Sequence, residues 1–126
     1  MDDSLARRRI LIVDDHQDTL DLLTQACETQ GATVQSTSSA REALELASRE
    51  APDLVITDIG LRGETGVWLL EELRKIHPNL PVLALTGRSP EDALAAGFDA
   101  ILLKPTDPWQ LCDEVRRLLR DGSARR

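Results

Sequence analysis

Tyrosine is absent from this chain of 126 residues, and aromatic residues make up only 2% of it. Cysteine is nearly absent too. Cys27 and Cys112 are the only two, and both fall inside apolar helical patterns, which reads as buried inert thiols rather than a disulfide or redox pair. No apolar run approaches the roughly eighteen residues that a membrane span needs. The opening "MDDSLARRR" carries acids and no apolar h-region, so a secretory signal is not expected and cytoplasm is the default. Positive charge is short: 15 basic residues stand against 22 acidic ones, a net of −7. That balance argues against direct nucleic-acid binding, since nothing would offset phosphate repulsion. Arg7, Arg8 and Arg9 form the only basic run and read as a solvated flank. Lysine occurs only at Lys75 and Lys104.

What is present is a globular balance, 41% hydrophobic and 29% charged, in a length that suits one domain with its own core. Five short apolar runs recur: "ILIV" at 10–13, "ATV" at 32–34, "LVIT" at 54–57, "VLAL" at 82–85 and "AILL" at 100–103. All but the second are continuous rather than alternating, as strands covered on both faces are. Between them lie segments of helical spacing. Residues 17–30 carry Leu20, Leu23 and Cys27, closed by Gly31 as a left-handed cap. Ser39 and Glu42 form a capping box for a helix to about Glu50. Residues 66–77 carry Leu69, Leu70, Leu73 and Ile76, and Pro78 ends them. Ser89-Pro90 opens a short Ala-rich helix stopped by Gly97. Asp107-Pro108 opens the last, striped by Leu111, Cys112, Val115, Leu118 and Leu119 and expected to end near Arg120. Strands alternating with helices five times over predict an α/β fold, a doubly wound parallel sheet with five helices. No repeat is visible beyond that alternation.

The residues that follow the strands are the informative ones. Strand one ends on Asp14 and Asp15, strand three on Asp58, strand four on Thr86 and strand five on Lys104 before Pro105. Right-handed crossovers point all parallel strands the same way, so their carboxyl ends share one edge. Three carboxylates, a hydroxyl and an ammonium are thus expected in one cleft. Crowded carboxylates repel, and a hard divalent cation relieves them; an all-oxygen set suits Mg²⁺. Asp58 is then placed to act as a nucleophile forming an acyl phosphate. Lys104 supplies positive charge to phosphoryl oxygens, and Thr86 a hydroxyl donor. Gly87 leaves space beside Thr86 for a phosphate donor.

The motifs "IVDD", "VITD", "ALTG" and "LLKP", with "GLRGETG" and "AAGFDA", resemble the receiver domain of response regulators in two-component signalling. The resemblance covers about residues 9–120. It implies the flavodoxin-like strand order 2-1-3-4-5 and a single receiver domain over 1–126, with a polar tail at 121–126 and no output domain. It implies phosphorylation of Asp58 by a histidine kinase or phosphotransfer protein, with Mg²⁺ held by Asp14, Asp15, Asp58 and the Gly60 backbone carbonyl. The chain is then no enzyme in its own right, but a phosphoacceptor that assists its own phosphorylation and dephosphorylation. Thr86 would move toward the phosphoryl group and Lys104 would pair with it. The face made by the helix after strand four, strand five and the last helix would then switch for an unidentified downstream partner, or for a homodimer.

The pattern also departs from the family. Ile101 stands where an aromatic switch residue is frequent, three positions before Lys104. Arg62 replaces a frequent proline, and Gly60 is smaller than the polar residues common there. The segment from Thr86 to Lys104 is a few residues short. His16 reads as a solvent-contacting residue at a helix start, and His77 as a helix-end cation before Pro78. Trp68 and Trp109 lie about 130° and 120° off their helices' apolar stripes, either exposed as partner contacts or partly buried under a neighbouring loop. Trp109 is the favoured contact. A phosphorylation-independent interaction module, or a receiver excised from a hybrid kinase, are the alternatives. A Mg²⁺ hydrolase would want an acid where Gly60 stands, and a flavin-binding flavodoxin a phosphate loop where the two acids follow strand one.

Overall fold

In a computed structural model the chain is described over residues 5–87 and 96–124. The elements run β1 (Arg9–Val13), α1 (Gln17–Thr29), β2 (Thr33–Thr37), α2 (Ala40–Arg49), β3 (Leu54–Asp58), α3 (Gly66–Ile76), β4 (Val82–Thr86), β5 (Ala100–Leu103) and α4 (Pro108–Ala124). All strand pairs are parallel and the order is β2-β1-β3-β4-β5, the expected flavodoxin-like sheet. Four helices are described. The short helix read from Ser89-Pro90 falls on residues outside the described ones, which resume at Ala96.

Alternation along the buried strands splits the core in two. Ile10, Ile12, Leu54, Ile56, Leu83 and Leu85 face α1 and α4, while Leu11, Val13, Val55, Val82 and Ala84 face α2 and α3. This is why their sequences read as unbroken apolar runs: each face has its own helical cover. The edges are more open. β2 is largely exposed, and Leu103 on β5 is 54% exposed although its run reads as fully covered.

Local signals work as expected at most helix ends. Gly31 adopts φ +102°, and its N–H donates to Glu28 O at 2.9 Å. Asp107 Oδ1 accepts from Trp109 N at 3.0 Å, with Pro108 in the first turn. The capping box at α2 is only half formed. Ser39 Oγ accepts from Glu42 N at 3.2 Å, but the Glu42 carboxylate takes the Thr37 hydroxyl instead of returning to Ser39. The Ser39 N–H donates to Thr37 Oγ1 at 3.1 Å, so the edge strand supplies the missing arm.

Two expectations need correction. The last helix does not stop near Arg120 but continues to Ala124. Its apolar stripe ends at Leu119, yet adding residues to an anchored helix costs little once the nucleus exists. Ile76 belongs to the sequence stripe of α3 but is 42% exposed, because it sits on the final turn.

Candidate functional site

The sheet's carboxyl edge gathers the polar residues. β1 stops at Val13, and the ladder carries on one step as Asp14 N donates to Thr37 O at 3.1 Å. Asp58 is the last residue of β3, opposite Leu85 of β4, and Ile59 N continues that ladder to Leu85 O at 3.1 Å. Thr86 closes β4, and Lys104 N donates to its carbonyl at 2.9 Å. Backbone pairing therefore fixes all four positions, independently of their side chains.

Burial sharpens the chemistry. Asp14 is fully buried, and Asp58 and Thr86 nearly so. A buried carboxylate costs several kcal/mol unless it is paired. Lys104 provides the pairing: its Nζ lies 2.8 Å from Asp14 Oδ2 and 3.4 Å from Asp58 Oδ2. Burial pulls the Lys104 ammonium's pKa down. The hydrogen bond and charge of Asp14, with Asp58 behind it, outweigh that and hold it above the ordinary lysine value. The Lys104–Pro105 peptide is cis.

Asp15 is less settled. Arg62 approaches its Oδ2 only to 3.7 Å with a guanidinium that is almost fully exposed. Its Oδ1 is buried and has no hydrogen-bond partner among the described residues. Potential ligand atoms of Asp14, Asp15, His16 and Asp58 all lie within 4.8 Å of one another. An orphaned carboxylate oxygen in an acidic set of this kind fits a divalent cation, which would satisfy it without further protein donors.

Residues 10–116 match the family model described as the response regulator receiver domain. This chain belongs to the response regulator receiver domain family. The receiver is 40% identical over 120 residues to an uncharacterized 14.6 kDa protein from the sodA1 3′ region of Leptolyngbya boryana, covering 90% of this chain and 92% of that one. It is 35% identical to the transcriptional regulatory protein CreB of Escherichia coli, over 92% of this chain but 52% of CreB. The chain thus spans about half the length of the transcriptional regulators it matches. Among solved structures, a CheY-like receiver domain protein from Methanospirillum hungatei superposes with a TM-score of 0.89 at 33% identity, covering 96% of this chain and all of that one. No helix among the described residues is long and apolar enough to cross a membrane.

The receiver brings Asp14, Asp15, Asp58 and Lys104 together as their positions after the strands imply, with Thr86 on the same edge. Gly60 lies just beyond, its N–H donating to Asp58 Oδ1 at 3.3 Å, with open space where a side chain would stand. Two residues escaped the sequence reading. His16, read as a solvent contact, has an exposed ring but turns its Nδ1 to within 3.1 Å of Asp14 Oδ1 and 3.2 Å of Asp15 Oδ1. Only its place after the acid pair hinted at this. Gly66 opens α3 directly against the acid: a Cβ there would lie 2.4 Å from the Asp58 carbonyl oxygen. No local signal announces that approach.

The tryptophans separate. Trp68 is half-buried against the α2–α3 core, with the Arg41 guanidinium 5.3 Å above its ring. Trp109 is 59% exposed. Ile101, in the aromatic's place, is half-buried against the α2–α3 core. Cys27 and Cys112 are free thiols and fully buried.

Proposed function

We propose that the protein is a phosphorylatable switch whose acceptor is Asp58, charged by a histidine kinase or phosphotransfer protein with Mg²⁺. The observation that carries this reading is Lys104 Nζ set between Asp14 and Asp58, at 2.8 and 3.4 Å, on one buried strand edge. Asp58 acts as the nucleophile. A carboxylate oxygen forms a bond to phosphorus while the bond from phosphorus to the donor's nitrogen or oxygen breaks, and the donor keeps that electron pair. Mg²⁺, held by Asp14, Asp15, Asp58 and the Gly60 carbonyl, would neutralise phosphoryl charge. Lys104, already beside Asp58, pairs with a phosphoryl oxygen and exchanges its contact with Asp14 for it. The Thr86 hydroxyl donates to another.

A cavity of about 430 Å³ opens beside Lys104, bordered by His16, Thr19, Leu22, Pro105 and Thr106. It is mostly apolar and gives a donor chain somewhere to seat next to the acceptor. On the output side, Leu103 of β5 and Trp109 of α4 are the exposed apolar groups a downstream partner or second copy would cover.

The test is incubation with acetyl phosphate, with and without Mg²⁺, followed by intact mass. A Mg²⁺-dependent gain of one phosphoryl group, lost in Asp58→Asn, supports the reading. Unmodified protein under every condition would instead favour a phosphorylation-independent interaction module. Labelling of Asp58→Asn at the native rate would place the acceptor elsewhere.

A further inference from the structure

We propose that His16 is a nitrogen ligand of the cation site, so that this receiver takes first-row ions that accept imidazole, such as Co²⁺, more tightly than Mg²⁺. The inference rests on the reading of the acidic cluster as a cation site and adds a ligand to it.

His16 occupies the N-cap position of α1, yet its side chain makes no capping hydrogen bond. It points the other way. Its backbone N–H donates to Asp14 Oδ1 at 2.9 Å, which pins the residue over the acid pair. The ring then brings Nδ1 to 3.1 Å from Asp14 Oδ1 and 3.2 Å from Asp15 Oδ1. One nitrogen faces two carboxylate oxygens, and of the two contacts the one to Asp14 has hydrogen-bond geometry. Asp15 Oδ1 is left buried without a hydrogen-bond partner among the described residues. The other tautomer directs a lone pair at both oxygens, an arrangement that a cation between them would reconcile.

The spacing fits such an ion. Ligand atoms about 2.1 Å from a six-coordinate ion stand about 3.0 Å apart along each octahedral edge and about 4.2 Å apart across it. The two nitrogen–oxygen distances match the edge, and the 4.8 Å limit on the whole set accommodates the diagonal with a small contraction. Asp14 is divided between two neighbours: Oδ2 faces Lys104 and Oδ1 faces His16. Lys104 can therefore keep its contact while Oδ1 takes an ion. Mg²⁺ prefers oxygen and sheds water reluctantly, so imidazole adds little to its binding, whereas Co²⁺ gains from nitrogen.

The test is titration calorimetry of the full chain with Co²⁺ and with Mg²⁺, alongside the visible absorption spectrum of the Co²⁺ form. His16→Ala is expected to weaken Co²⁺ about tenfold or more and to change its absorption bands. Mg²⁺ affinity is expected to move about twofold or less. Asp15→Asn is expected to weaken both ions. His16 is exposed, so its replacement leaves the core intact, and circular dichroism checks this. Unchanged Co²⁺ affinity and spectrum in His16→Ala, with both ions lost in Asp15→Asn, would overturn the role of His16 and leave the cation site standing. Bands lost in His77→Gln but kept in His16→Ala would assign them to the other histidine and overturn the role of His16 equally. A native chain that binds neither ion would overturn the site itself.

Discussion

Three single positions test the proposed acceptor site. Asp58→Asn removes one of the crowded charges while keeping the shape, so stability is expected to change by about 1 kcal/mol or less while phosphoryl incorporation disappears. Lys104→Ala acts differently, because it strips the partner from fully buried Asp14. Phosphorylation is expected to persist at a reduced rate, while the tryptophan fluorescence change expected on phosphorylation of the native chain is expected to disappear. A Lys104→Ala protein with the native fluorescence response would remove lysine from the switch. Gly66 is the least obvious of the three. A methyl group there would lie 2.4 Å from the Asp58 carbonyl oxygen and 2.9 Å from Ile59 Cα, both of them backbone atoms that cannot rotate away. Gly66→Ala is therefore expected to cost about 1–3 kcal/mol by denaturant unfolding and to slow phosphorylation, since relief comes only by moving α3 or the acid. At Gly60, where a Cβ meets nothing within 4 Å, the same substitution is expected to leave stability nearly unchanged.

At the level of elements, the strand ends were legible because parallel βα units leave little choice: polar residues after successive strands share an edge. Asp14, Asp15, Asp58, Thr86 and Lys104 could be placed without knowing a single contact. What stayed hidden depended on elements distant in sequence. Glu42 pairs with Thr37 because β2 ends beside the start of α2, and the S-x-x-E pattern alone cannot show which partner wins. Ile76 follows helical periodicity but lies past the cover of its neighbours. Arg74 is another case. From α3 it bonds the Leu80 carbonyl, reaches Gly97 O at 3.3 Å and pairs with Asp99 Oδ2 at 2.8 Å, while Asp99 also accepts from Val82 N at 2.8 Å. One side chain thus ties α3 to the chain just before β4 and just before β5. Arg74→Ala leaves the buried Asp99 carboxylate with less compensation and is expected to destabilise the fold by about 2–3 kcal/mol in urea. A loss below about 0.5 kcal/mol would mean water replaces the guanidinium freely at this edge.

Across the whole molecule the sheet separates two cores, and the residues at its carboxyl edge answer to both. Asp14 follows a strand whose alternate residues pack on α1 and α4 and on α2 and α3, so the acid cluster sits where the two layers meet. Cys27 and Cys112 report on one layer directly, since they meet at the contact of α1 with α4, both fully buried. The hydrogen bond with Cys112, reinforced by burial, pushes the Cys27 thiol up, away from the thiolate that a disulfide reagent needs. The same contact holds the Cys112 thiol lower, but both side chains are fully buried, so labelling in native buffer is expected to proceed only through opening. If the domain unfolds as one unit at about 5 kcal/mol, the low end for its size, labelling runs roughly 4,000-fold slower than in the unfolded chain. Both thiols should then become reactive over the same range of urea in which Trp68, on the opposite layer, changes its fluorescence. Labelling at lower urea than the Trp68 transition would show instead that α1 and α4 part from the sheet on their own. In that case the face carrying Trp109 can rearrange while β3 still holds Asp58 in place, and output would be separable from the acceptor's own stability.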